Sequence, residues 1–142
     1  MDHNFTMDAF DNARTMLHQA NAVHNEWRHL SKNFYEQRSL WEQARNDYRI
    51  LCDEKEEMLL NKAHPASLGE QNELIEFTRQ LAKKRLVPYR QAEQELDQLE
   101  EVKSEAVEQA KAAFNAVPYP SASSPYSADD FLEMRNDIAA LQ

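Results

Sequence analysis

From Asp8 to Lys62 the chain contains neither Pro nor Gly, and its apolar residues return at alternating steps of three and four. With heptad position a at Ala13, Ala20, Trp27, Phe34, Trp41, Tyr48 and Lys55, position d falls at Met16, Val23, Leu30, Gln37, Ala44, Leu51 and Met58. All but Gln37 and Lys55 are apolar, and the repeat outlasts the three or four heptads that mark a coiled coil. The pattern predicts one helix over about 8–62, roughly 55 residues and roughly 80 Å long. A strict seven-residue period implies a left-handed supercoil against a neighbouring helix. Gln37 and Lys55 read as polar insertions that fix register at some cost in stability.

The repeat stops at Asn61–Gly69, where Pro65 bars continuation of the helix and biases His64 toward extended backbone. This predicts a turn over 61–69. Ser67 followed by Glu70 matches a capping box, so a second helix is expected from about Leu68 to about Ala116. Its stripe runs through Tyr89, Ala92, Leu96, Leu99, Ala106, Ala110, Ala113 and Val117, with Lys103 as the exception. Upstream, Leu74, Phe77 and Leu81 join that stripe through Arg85 with an extra step of four, a stutter. Pro88 lies at the same place, and a kink is expected around Lys84–Pro88.

Residues 117–127 hold three of the five prolines and four serines, and read as an extended connector. Ser127 with Asp130 then opens a short helix over about 128–141, whose Phe131, Met134, Ile138 and Leu141 repeat at helical spacing. Such a helix needs a groove. Extra apolar residues flank the seam at Phe10 and Leu17 and at Val102, Val107 and Phe114. In an antiparallel hairpin, residue i faces roughly residue 130 − i, so those regions meet. The expected fold is therefore all-α: a long antiparallel helical hairpin, coiled-coil in character, with a third helix making a three-helix bundle at the terminal end. The whole of 1–142 reads as one elongated helical domain. At the turn end only two helices are available, yet Ile50, Leu59, Leu60 and Ile75 extend beyond the seam. Exposed apolar residues of that kind mark association surfaces, so a homodimer through the hairpin tip or a partner protein is expected there.

Composition narrows the function. One Gly in 142 residues cannot supply the turns of a sandwich or barrel, nor a phosphate-cradling loop. A net charge of −9 and a pI near 5.0 disfavour direct nucleic-acid binding and anionic membranes. No 18-residue apolar run and no leader pattern is present, which predicts a soluble, cytoplasmic protein, and a lone Cys52 agrees with a reducing setting.

The chemical motifs have plain structural readings. Glu26 and His29 share the spacing of di-iron bundle ligands, but no second such pair exists, and His18, His24 and His29 do not share a helical face. No metal and no cofactor is expected. Cys52 lies among Asp53, Glu54, Glu56 and Glu57, which oppose a thiolate, so it reads as a small half-buried hydrophobe. His24, at position e, is expected to be half-buried under the third helix. Trp27, Phe34, Trp41 and Tyr48 resemble a base-stacking ladder, yet as successive a positions they read as core. No enzyme is expected.

Charge is segregated: residues 63–90 carry 5 basic and 3 acidic groups, whereas residues 91–142 carry 3 basic and 11 acidic. The basic island of Arg79, Lys83, Lys84, Arg85 and Arg90 is expected to bridge to Asp47 and Asp53. The acidic run includes Glu93, Glu95, Asp97, Glu100, Glu101, Glu105 and Glu108. The leading expectation is a non-enzymatic protein-interaction module (an adaptor, spacer or export-type chaperone) using Ile50, Leu59, Leu60 and Ile75. The alternative is an acidic inhibitor whose Glu100, Glu101, Glu105 and Glu108 imitate nucleic-acid charge against a DNA- or RNA-binding protein. A bundle metalloprotein using Glu26 and His29 comes third.

Overall fold

The computed structural model describes the backbone of residues 2–141 and the side chains from Asp8 onward; Met1 and Gln142, the ends of the expected domain, lie outside the described residues. The fold is all-α: helix α1 spans Asp2–Leu60, α2 spans Pro65–Asn115 and α3 spans Ala128–Ala139. The long helices form the expected hairpin, and α3 packs at its end. Two compact units share these helices: Met1–His29 with Asp97–Gln142, and Leu30–Leu96.

In the first unit the seam is built largely from Ala13, Ala20 and Ala110, all without measurable exposure. Alanine seams bring backbones close but bury little area, so the apolar burial comes from the flank. Phe10, Leu17 and Val107 are buried there, with Met134, Ile138 and Leu141 from the α3 segment closing over them. Ser127 caps α3 as expected: its hydroxyl accepts from the Asp130 amide, and the Asp130 carboxylate accepts from the Ser127 amide. Val102 departs from expectation and stays exposed. The connector contains no helix, as expected, and it is packed rather than free. Tyr126 is buried, stacks on Phe10 with centroids 4.4 Å apart, and donates its hydroxyl to the Pro118 carbonyl. Phe131 in turn packs on Phe114 and Tyr119.

In the second unit all expected α1 seam positions from Leu30 to Met58 are buried or half-buried, Gln37 and Lys55 included. Tyr89 of α2 stacks on both Phe34 (5.6 Å) and Trp41 (5.2 Å, rings 7° apart). The expected stutter is overturned. Upstream of Tyr89 the seam continues in unbroken three–four alternation as Arg85, Ala82, Thr78, Ile75, Gln71 and Leu68, all buried or half-buried. Gln71 is satisfied by donating to the Leu51 carbonyl (2.9 Å) and the Glu54 carboxylate (3.3 Å), and Thr78 donates to the Leu74 carbonyl. Buried polar groups with partners fit a seam, which an apolar-only count misses. Helical structure runs through Pro88 without interruption.

The turn is tighter than expected. Lys62 adopts φ 53°, the Ala63 amide donates to the Met58 carbonyl and the Lys62 amide to the Leu59 carbonyl, a Schellman ending. Helix α2 starts at Pro65 rather than near Leu68, because proline suits the first helical position. His64, not Ser67, lies ahead of the helix, its Nδ1 accepting from the Ala66 amide at 3.1 Å. The left-handed position thus falls on Lys62, while the one glycine, Gly69, sits inside α2 with open space around an added Cβ. Lys62→Gly and Gly69→Ala are each expected to raise unfolding free energy by about 0.5–1 kcal/mol, read from urea midpoints.

Candidate functional site

In the Leu30–Leu96 unit the two helices leave two faces beside one seam. Trp41, Arg45 and Tyr48 of α1 line a groove with Arg79, Lys83 and Leu86 of α2. With Ile75, Ala82 and Tyr89 as a positions of α2 and Thr78 and Arg85 as d, Arg45 and Arg79 both occupy e positions, so the e flanks of both helices share this face. The g flanks therefore share the opposite one. The groove face is cationic over an aromatic floor, with the Arg45 guanidinium 4.9 Å from the Trp41 ring centre. Arg79 pairs with Glu76 at 2.9 Å, and the hydrogen bonds from Arg79 and Gln80 pull the Glu76 carboxyl down to about 2. Cys52 is half-buried, as a small hydrophobe should be, and its thiol pushes the neighbouring Tyr48 phenol upward.

The other face is apolar. Leu40 is 38% exposed, Ile50 46%, Leu74 52% and Phe77 69%. The bonds from Gln71 to Leu51 and Glu54 place Ile50 level with Leu74 and Phe77. At the turn, Leu59 and Leu60 are exposed as expected. Ile75 is a correction: it is half-buried in the seam, and the outward apolar positions are Leu74 and Phe77. Tracing the alternation backward from Tyr89, with polar residues allowed in the seam, would have found them.

In the other unit Glu100, Glu101, Glu105 and Glu108 are all exposed on α2. Lys103, the break in the predicted stripe, has its Nζ 3.8 Å from the Trp27 ring centre, a cation–π contact that admits a lysine to the seam. His24 lies beside Trp27 with its Nδ1 buried and without a hydrogen-bond partner. Burial, then the charges of Lys103 and Arg28, lower its imidazole below 6.5. The folded state thus disfavours the imidazolium while the unfolded chain accepts it. His24 leaves stability untouched above about 6.5 and diminishes it as pH falls below that value. The urea midpoint is expected to drop between pH 7.5 and 5.5, and to drop less in His24→Gln.

The expected bridges from the basic island to Asp47 and Asp53 are replaced by pairs along single helices: Arg38–Glu42, Glu76–Arg79 and Glu108–Lys111. Neighbours three or four positions apart are closer than residues separated by a packed seam. Glu26, His18 and His29 are exposed, and among the described residues no three His, Cys, Asp or Glu side chains gather where they could hold a metal ion. Among the described residues no helix is long and apolar enough to cross a membrane.

Fold and surface define a class: a helical hairpin, closed at one end by a third helix, with an apolar face and a cationic groove on its two-helix part. No protein-family model matches the chain, and no curated protein or solved structure matches it.

Proposed function

We propose that this protein is a non-catalytic interaction module, an adaptor, spacer or export-type chaperone that presents a helical face to a partner protein in the cytoplasm. The apolar face carries the reading: Leu40, Ile50, Leu74 and Phe77 lie outside the seam, where a two-helix hairpin has nothing to cover them. Exposed apolar residues on one face are the ordinary mark of an association site. The cytoplasmic setting rests on Cys52 being the one cysteine. Leu59 and Leu60 extend the surface around the turn.

The test is capture from host lysate at about 50 mM and about 300 mM salt, which bracket weak and strong screening. The wild-type chain retains its partner at both salts, and the Leu74→Asp/Phe77→Asp variant loses it. Both positions are exposed, so the variant's own stability should change by no more than about 0.5 kcal/mol per site. A partner held equally by the variant would sink the proposal.

A second reading rests on the exposed Glu100, Glu101, Glu105 and Glu108, with Lys103 drawn over Trp27. Such a surface suits the basic groove of a nucleic-acid-binding protein. That partner would ignore Leu74→Asp/Phe77→Asp, drop away at the higher salt, and be lost when the four glutamates become lysine.

A further inference from the structure

The e flank differs between the two units. In the first, Phe10, Leu17, Val107 and Phe114 occupy e positions, and α3 packs against the cluster they form. In the second, the same heptad positions hold Arg45, Arg79 and Leu86 and border an open groove with Trp41, Tyr48 and Lys83. Its floor is apolar and aromatic; its rim is cationic. Arg79 pairs with Glu76, whereas Arg45 and Lys83 belong to none of the ion pairs among the described residues and leave the rim with net positive charge. A matching occupant is a helix with carboxylates around a small apolar centre.

This chain carries such a surface. On the outer face of α2, Asp97, Glu101, Glu105 and Glu108 are exposed, with Val102 among them at 50% exposure. The four carboxylates are spaced three and four apart and so form one stripe. We propose that the groove of Trp41, Arg45, Tyr48, Arg79 and Lys83 binds the acidic Asp97–Glu108 face of α2 from a second copy of this chain. Two chains of charge −9 repel at long range, but at about 0.1 M salt the Debye length is about 10 Å, and the local match outweighs distant charge. The aromatic floor adds what exposed ion pairs alone do not, since each of those is weak. The contact is independent of the apolar face on the opposite side of the hairpin.

Sedimentation equilibrium of the full-length chain tests the assignment. At about 50 mM salt the weight-average mass should exceed the 16.6 kDa of one chain, and it should return to that value at about 500 mM. Arg45→Glu/Lys83→Glu and Glu101→Lys/Glu105→Lys/Glu108→Lys should each weaken association at least tenfold. Mixed in equal amounts they should associate again, because each reversed surface then meets its complement. That recovery excludes misfolding as the cause of either loss. A wild type that stays at 16.6 kDa in low salt overturns the proposal, as does a mixture that fails to associate. Association untouched by either charge reversal but removed by Leu74→Asp/Phe77→Asp overturns it too, and assigns the contact to the apolar face.

Discussion

Phe10→Ala is expected to lower unfolding free energy by about 3–5 kcal/mol, among the largest effects open to a single substitution here. Phe10 is 2% exposed and, among the described residues, is the one large side chain of those most deeply buried. Its ring is the platform on which Tyr126 stacks, and Tyr126 joins the two ends of the connector by donating to the Pro118 carbonyl. The seam beneath is built largely from alanines, which cannot expand into the space left behind. The lost transfer energy is therefore joined by a cavity, and by loss of the stack that holds the connector. Hydrogen exchange should localise the effect: amides of α3 should lose protection well beyond those next to the Lys62 turn. The Tyr126 hydroxyl, held above its ordinary value by burial, should titrate nearer to that value in the variant. Unchanged α3 protection would contradict the central place given to this ring.

Tyr89→Ala should cost about 2–4 kcal/mol through a different mechanism. Tyr89 is half-buried, so less surface is lost than at Phe10, but its ring stacks on both Phe34 and Trp41. One α2 side chain thus links two successive a positions of α1, and this part of the hairpin has no third helix to compensate. Trp41 is also the floor of the cationic groove. Tyr89→Ala should therefore weaken both stability and groove binding, whereas Tyr89→Phe, which keeps the ring, should leave both nearly unchanged. Chemical denaturation with tryptophan fluorescence as the probe reads the comparison.

Much of the fold was legible in the chain because heptad spacing is a physical constraint that every seam residue obeys. In α1 each expected seam position is buried or half-buried, down to Lys55. The α3 cap at Ser127 and its buried Met134 and Ile138 followed from spacing alone. What escaped were positions where a polar residue does an apolar residue's work. Gln71 and Thr78 fit the seam through hydrogen bonds; Lys103, already the expected exception within the stripe, does so through the Trp27 ring. Counting apolar residues therefore moved the upstream seam onto Leu74 and Phe77 and turned Ile75 outward. That single register error left Ile50, Leu59 and Leu60 as the visible part of the apolar surface and kept Leu74 and Phe77 out of it. Tyr126 escaped for another reason: its burial depends on contact with Phe10, far away in sequence, and no local pattern encodes that.

The most direct test of the interaction surface is site-specific crosslinking. A photoreactive amino acid is placed at Phe77 in one chain and at Glu101 in another, and each is irradiated in host lysate at about 50 mM and about 300 mM salt. A docking face made of Leu40, Ile50, Leu74 and Phe77 gives a discrete protein adduct from position 77 that persists at the higher salt. Adducts to a different protein from position 101 alone, vanishing as salt rises, would show that the acidic face of α2, and not the apolar face, meets the partner.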